Sequence, residues 1–285
     1  MILTIDIGNT TTAFGLFARP GAGEGRAGDK GKLKAHFAIG TQSWRVPEQV
    51  ALHIRTMAVT RHADLKHVSQ ALVCSVVPRM TDLLTQALRI VDIKKPLLIG
   101  RDVMVPLKNK YEYPEQVGQD RLVGAYAALM EFKQDCIVCD FGTAVTIDIV
   151  KAVNKSRSPS PLTSHLSPFG EYLGGVIAPG LGMSLDALNT RTALLPRVEL
   201  TEPPELLGRD TVNSIRSGVV YGWAALCDGL VGQLKAKYAP KAVVVATGGD
   251  GPLIAKYAHC VDHIRPHLVL DGLARLASTP SQKPS

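Results

Sequence analysis

The sequence predicts an α/β protein built from two related halves. Three observations carry this: strand and helix patterns alternate, one strand-and-turn element occurs twice, and the composition allows a substantial core. The chain has 285 residues, 46% of them hydrophobic and 20% charged, enough for two domains of roughly 150 residues each. That balance belongs to a globular chain and excludes a disordered one.

The first forty residues read as three strands. Ile2–Ile7 is a near-continuous apolar run, as a strand buried on both faces requires. Gly8, Asn9 and Thr10 turn the chain, and Thr11–Phe17 brings it back. Residues 19–32 are rich in glycine and charge, predicting a loop before a strand over 33–39. Val46, Val50, Ile54 and Met57 recur at helical spacing, with Pro47 suited to a first turn. A strand over 70–77, a helix over 80–91, a strand over 96–99 and a helix over 120–132 continue the alternation.

The opening pattern then returns. Cys136–Phe141 is an apolar strand, Gly142 and Thr143 turn it, and 144–150 is a second strand. Residues 154–168, rich in serine and proline, predict another loop. One long helix is marked by Val212, Ile215, Val219, Trp223, Leu226, Leu230 and Leu234. A strand over 242–247 ends in Gly248-Gly249-Asp250-Gly251, and the tail after Ala277 is expected to fray.

Asp6-Ile7-Gly8-Asn9-Thr10 and Asp140-Phe141-Gly142-Thr143 each end an apolar strand and open a tight hairpin. A glycine there lets backbone approach a ligand closely. Backbone N–H groups and the Thr or Asn side chains can donate to phosphate oxygens. The aspartate can hold a metal ion beside those phosphates. A single D-x-G turn is common, whereas two at the starts of two halves argue for a duplicated nucleotide-binding domain.

With the late Thr247-Gly248-Gly249-Asp250 turn, these hairpins resemble the two phosphate motifs and the adenosine motif of the acetate and sugar kinase/heat-shock-70/actin superfamily. The finer resemblance is to type III pantothenate kinases, over essentially the whole chain. It adds 111–121 with Gly118-Gln119-Asp120-Arg121, Gly174-Gly175-Val176-Ile177-Ala178-Pro179-Gly180 and Asp210-Thr211-Val212-Asn213-Ser214-Ile215. The chain departs from that pattern at Gln119, where alanine is usual, and at Tyr113, where asparagine is frequent.

The resemblance implies duplicated ribonuclease-H-like (actin-like ATPase) domains with a central cleft, divided as 1–117 and 118–285, the last helix able to pack back on the first domain. It implies ATP-dependent phosphorylation of pantothenate to 4′-phosphopantothenate, the first step of coenzyme A biosynthesis. Asp6, Ile7, Gly8, Asn9, Thr10, Thr11, Thr12 and Ala13 would line the ATP phosphates, with Asp6 near Mg²⁺, through water. Asp120 would be the base toward the pantothenate hydroxyl. Tyr111, Gly118, Gln119, Arg121 and Thr211 would hold pantothenate, Asp140 a monovalent cation (K⁺ or NH₄⁺), and Thr143 would contact ATP. A homodimer is also implied.

The residues fit this chemistry. A carboxylate can orient an alcohol and take its proton late in phosphoryl transfer, and Arg121 offers a planar fork for a substrate carboxylate. Read alone, Asp120-Arg121 is an ordinary helix start, with Asp favourable in the first turn.

Other signals point elsewhere. The net charge is +7, which attracts polyanions such as ATP, but no motif or aromatic-interleaved basic face predicts nucleic acid as a partner. Five cysteines at irregular spacing do not suggest a disulfide scaffold. Cys136 and Cys139, three apart on a strand, point to opposite faces and read as core residues. His259, His263 and His267 are interrupted by Pro266 and read as surface histidines. Gly31-Lys32 lacks the glycine and hydroxyl of a P-loop. The chain starts without a basic leader or membrane-length apolar run, so a cytoplasmic location is expected. Two rival readings remain at this point. One is a phosphohydrolase of the same superfamily, exopolyphosphatase-like, distinguished by phosphate landing on water. The other is a non-catalytic DNA-associated regulator, distinguished by salt-dependent DNA binding without kinase activity.

Overall fold

The computed structural model describes residues 1–19, 29–93, 95–153 and 169–279. The expected loop over 154–168, most of that over 19–32 and the end of the tail lie outside the described residues.

The first unit is ordered by β1 (Ile2–Ile7), whose residues are buried except for half-buried Asp6. Burial on both faces is why the run is continuously apolar. β2 (Thr11–Phe17) returns antiparallel, setting Asp6 opposite Ala13 and Ile7 opposite Thr12. β3 (Leu33–Gly40) extends the meander. α1 (Pro47–Thr60) has proline in its first turn and buries Val50, Ala51, Ile54 and Ala58. β4 (Gln70–Ser75) then pairs parallel to β1, placing Cys74 beside Asp6. α2 (Pro78–Ile90) buries Met80, Leu84, Ala87 and Leu88, one helical stripe, and β5 (Leu97–Leu98) closes the sheet. The strand order is β3-β2-β1-β4-β5.

β6 (Leu107–Asn109) belongs to the second unit, and α3 (Gln119–Phe132) lies almost wholly in the first. In the second unit β7 (Cys136–Phe141) repeats β1: every residue is buried except half-buried Asp140. β8 (Ala144–Ala152) and β9 (Gly170–Pro179) form its antiparallel meander. α4 (Leu181–Arg191), α5 (Thr211–Tyr238), β10 (Val243–Thr247), the short α6 (Gly251–Ile254) and β11 (His263–Ile264) follow. The order is β11-β10-β7-β8-β9-β6. Without the added edge strand β6, this is the first sheet again. The last helix, α7 (Leu268–Ala277), falls in the first unit, which comprises Met1–Pro106, Glu115–Met130 and Val269–Ser285; the second comprises Leu107–Pro114 and Glu131–Leu268.

With β6, α4, α6 and β11, β9 is one of the elements that the sequence pattern conceals. Gly174 and Gly175 weaken its strand signature, and Gly174 takes φ +114 beside a break in the β8–β9 register. The strand expected over 70–77 stops at Ser75, because Val76 and Val77 already lead into α2. Cys136 and Cys139 are both fully buried. The Cys139 sulfur lies 3.8 Å from Cys227 on α5. Burial, with Asp135 and Glu131 adding to it, pushes the Cys136 thiol up to about 12. His263 stacks on Phe132 with 4.6 Å between ring centroids.

Gly272 sets the spacing between α7 and α3. A Cβ there would stand 2.6 Å from Val123 Cγ1 and 2.7 Å from the Val123 carbonyl oxygen. Helix propensity favours alanine over glycine by about 1 kcal/mol, but overpacking against backbone costs about 1–3 kcal/mol. The clash wins, so Gly272→Ala should lower the urea midpoint. A variant as stable as the parent would show that the two helices separate freely.

Candidate active site

Parallel pairing brings the first unit's predicted residues together. β1 and β4 end side by side, with the Val76 N–H donating to the Ile7 carbonyl at 3.1 Å. Asp6 and Cys74 therefore sit at one end of the sheet. Gly118, at the start of α3, approaches the same end: a Cβ on it would stand 3.7 Å from Val76 Cγ1. That Cβ would also run into Asp120 Oδ1, so the glycine leaves the space in which the carboxylate folds back. Asp120 Oδ1 accepts from the Arg121 N–H at 2.8 Å, and the positive end of the α3 dipole faces it.

Cys74 records the convergence electrostatically. Complete burial, then the charges of Asp6 and of Asp120, hold its thiol well above its ordinary value. Cys74 is therefore a neutral, apolar side chain whose ionisation both carboxylates oppose. Gln119 lies against the turn at Gly100, φ +83, where a Cβ would stand 2.8 Å from its side-chain amide carbon.

Within the first hairpin the predicted residues differ in access. Asn9, Thr10 and Thr11 are exposed, Asp6, Gly8 and Ala13 are half-buried, and Ile7 and Thr12 are fully buried. The Gly8 N–H donates to the Thr11 carbonyl at 3.0 Å.

The second unit gathers Asp140, Thr143 and three glycines. Gly248 follows β10 with φ +85, and a Cβ there would collide with Asp140 Oδ1 and the Phe141 carbonyl. Only a residue without a side chain takes this backbone at so close an approach. The Asp250 N–H donates to the Phe141 carbonyl at 3.1 Å, fixing the turn to the β7 end, and burial raises the Asp250 carboxyl. The Gly180 N–H, at the start of α4, donates to the Thr143 carbonyl at 3.1 Å. A Cβ on Gly180 would strike the Gly142 and Thr143 carbonyls.

Tyr111 follows β6, with its N–H donating to Asn109 Oδ1 at 3.0 Å. Its ring rests on Gly174, whose absent Cβ would stand 3.3 Å from it. Behind that contact Tyr172, fully buried, donates its hydroxyl to Asp148 at 2.7 Å, and Thr146 donates to the other carboxylate oxygen at 3.1 Å. Neither Asp148 nor Tyr172 was singled out from sequence. The available signal was a charge within the apolar run of β8, which demands a buried partner.

Thr211 follows Asp210 at a helix N-terminus. It opens α5, whose N-cap Asp210 accepts from the Asn213 N–H at 2.9 Å, and it lines an open depression of about 730 Å³ with Leu188, Leu195 and Ile215. Asp140, Thr143 and Tyr111 do not line that depression. Among the described residues no group of three or more His, Cys, Asp or Glu side chains forms a metal cluster, and no helix is long and apolar enough to cross a membrane.

Two solved structures share this architecture. A Campylobacter jejuni protein described as a Baf family transcriptional activator is 17% identical, with 96% of each chain covered and a TM-score of 0.52. Component A of the (R)-2-hydroxyglutaryl-CoA dehydratase of Acidaminococcus fermentans is 13% identical, with 97% of this chain and 96% of the other covered and a TM-score of 0.50. The molecule is of the duplicated ribonuclease-H-like, actin-like ATPase fold class. A family model for type III pantothenate kinase matches residues 2–157 and 162–233. A type III pantothenate kinase of Moorella thermoacetica is 36% identical over 273 residues, 96% of this chain and 97% of its own. One from Anaeromyxobacter sp. strain Fw109-5 is 39% identical over 279 residues, 97% and 98% of the two chains. The chain belongs to the type III pantothenate kinase family.

Removing the Tyr172 hydroxyl leaves a lone pair of a buried carboxylate without its donor. Tyr172→Phe should therefore lower unfolding free energy by about 1–3 kcal/mol in urea titration. Unchanged stability would mean that this hydrogen bond does not hold Asp148.

Proposed function

We propose that the protein transfers the γ-phosphoryl group of ATP to the 4′-hydroxyl of pantothenate, giving 4′-phosphopantothenate and ADP, the opening step of coenzyme A synthesis. The observation that carries this reading is the packing of Gly118, two residues before Asp120, against Val76 at the end of the first sheet where Asp6 pairs with Cys74. It sets a phosphate-type hairpin beside a carboxylate at a helix N-terminus, and family membership supplies the substrate.

Asp120 takes the hydroxyl proton as the new O–P bond forms, while the bond to the β-phosphate oxygen breaks and its electron pair leaves with ADP. Arg121 pairs with the pantothenate carboxylate, and Tyr111, Gly118, Gln119 and Thr211 complete the acceptor's contacts. Residues 6–13 bind the phosphates, joined by Thr143.

Mg²⁺ is held by one or two carboxylates, water and substrate phosphates rather than by a protein cage. Asp6 would hold it, and its charge would neutralise the phosphate oxygens. Asp140, with room left by Gly248, suits a monovalent cation, K⁺ or NH₄⁺.

A homodimer is part of the proposal. Leu206 and Leu207 are 65% and 67% exposed and line one surface with Gly218 and Gly222 of α5. Large apolar side chains grouped this way suit a protein interface.

Asp120→Asn should lower kcat by about 10²–10⁴, the share expected of a general base, while ATP affinity changes little. ADP release coupled to pantothenate, with and without added K⁺, measures this. Wild-type kcat in the variant removes Asp120 as the base, and ADP release independent of pantothenate favours a phosphohydrolase.

A further inference from the structure

We propose that Thr41 is a positioning residue for the first phosphate hairpin, orienting its backbone donors from beneath; this rests on the reading of that hairpin as a nucleotide site. Thr41 directly follows β3, in the short helical turn Thr41–Ser43, and is 1% exposed. It meets the hairpin at three points. Its N–H donates to the Thr10 carbonyl at 2.9 Å, its hydroxyl donates to the Gly8 carbonyl at 2.8 Å, and its Oγ1 lies 2.9 Å from Thr12 Oγ1.

Proton counting gives this cluster a direction. A carbonyl oxygen only accepts, so the single hydroxyl proton of Thr41 goes to Gly8. Thr12 must then be the donor to Thr41. The chain runs from Thr12 through Thr41 to the Gly8 carbonyl. The Thr12 hydroxyl, fully buried with its proton committed inward, serves the hairpin by holding its shape and is not itself a donor to the nucleotide.

The same bonds aim the backbone. In a planar trans peptide the C=O and the following N–H point in opposite directions. With the Gly8 carbonyl turned onto Thr41, the Asn9 N–H faces away from it. With the Thr10 carbonyl pinned to the Thr41 N–H, the Thr11 N–H does likewise. Asn9 and Thr11 are exposed, so Thr41 presents two donors outward, where phosphate oxygens would accept them. Preset donors bind without paying for reorientation, which is why a buried threonine affects affinity.

Thr41→Val keeps volume and removes the hydroxyl; Thr41→Ser keeps the hydroxyl. Titration with a non-hydrolysable ATP analogue, together with steady-state kinetics and thermal unfolding, is the test. Thr41→Val should weaken nucleotide binding about tenfold, as loss of such hydrogen bonds predicts, and raise KM for ATP. KM for pantothenate should stay within about twofold, and Thr41→Ser should recover nucleotide affinity. If Thr41→Val does not fold, Thr41→Ala, which likewise removes the hydroxyl, carries the same expectation. A folded Thr41→Val protein with parental nucleotide affinity overturns the proposal, as does a serine variant no better than valine. Failure of the parent protein to bind the analogue overturns the nucleotide reading itself, a different result.

Discussion

The parallel ladder between β1 and β4 is the constraint from which the first unit's candidate site follows. Six consecutive pairs, from Ile2 with Gln70 to Ile7 with Ser75, fix where both strands end. A slip of one residue would turn Asp6 to the other face of the sheet, away from the groups it now meets. The ladder holds because β1 is apolar on both faces and lies at the sheet centre, where its register is set by burial as well as by hydrogen bonds. The second unit repeats the arrangement with different residues. There β7 pairs parallel with β10, and Asp140 stands beside Thr247 as Asp6 stands beside Cys74. Duplication is therefore visible in strand order and in the residue-level position of the two aspartates.

Close approach is the second common device. Gly248, Gly180 and Gly118 each occupy a place where a Cβ would strike an oxygen of the site: Asp140 and Phe141, Gly142 and Thr143, and Asp120, respectively. Two of these glycines constrain backbone turns and one constrains a carboxylate. All three let chain segments come nearer to acidic or carbonyl oxygens than a side chain would permit. Oxygen-rich surroundings of this kind, in each unit by itself, suit cations and hydrogen-bond donors more than apolar ligands.

Much of this was legible in the sequence, because β1 and β7 carry strong, local signals: an apolar strand, an aspartate at its end, then Gly-Asn-Thr or Gly-Thr. α1 and α5 were legible through helical spacing. β9 was not, since its glycines and register break erase the pattern that identifies strands. α7 gives a short amphipathic signal that carries no information about which unit it joins. Thr41 was invisible for a different reason. Its importance lies in three bonds to residues some thirty positions away, and nothing in the neighbouring Gly40-Thr41-Gln42-Ser43 distinguishes it from an ordinary turn residue. Asp148 and Tyr172 lie between these extremes: a buried carboxylate within a strand announces that a partner exists, without saying which.

The electrostatics of the first unit follow from what Cys74 does not do. A thiolate at Cys74 would add a negative charge to those of Asp6 and Asp120, where a polyanionic nucleotide is proposed to bind. Burial and both carboxylates oppose that ionisation together, so the thiol remains neutral and the sulfur behaves as a small apolar side chain. The neutral sulfur then neither competes for cations nor offers a nucleophile. Serine at this position would be similar in volume but would demand hydrogen-bond partners of its own, drawing on the same acidic oxygens. Cysteine fills the space at the ladder's end and leaves Asp6 and Asp120 free of a competing hydroxyl for the roles proposed for them.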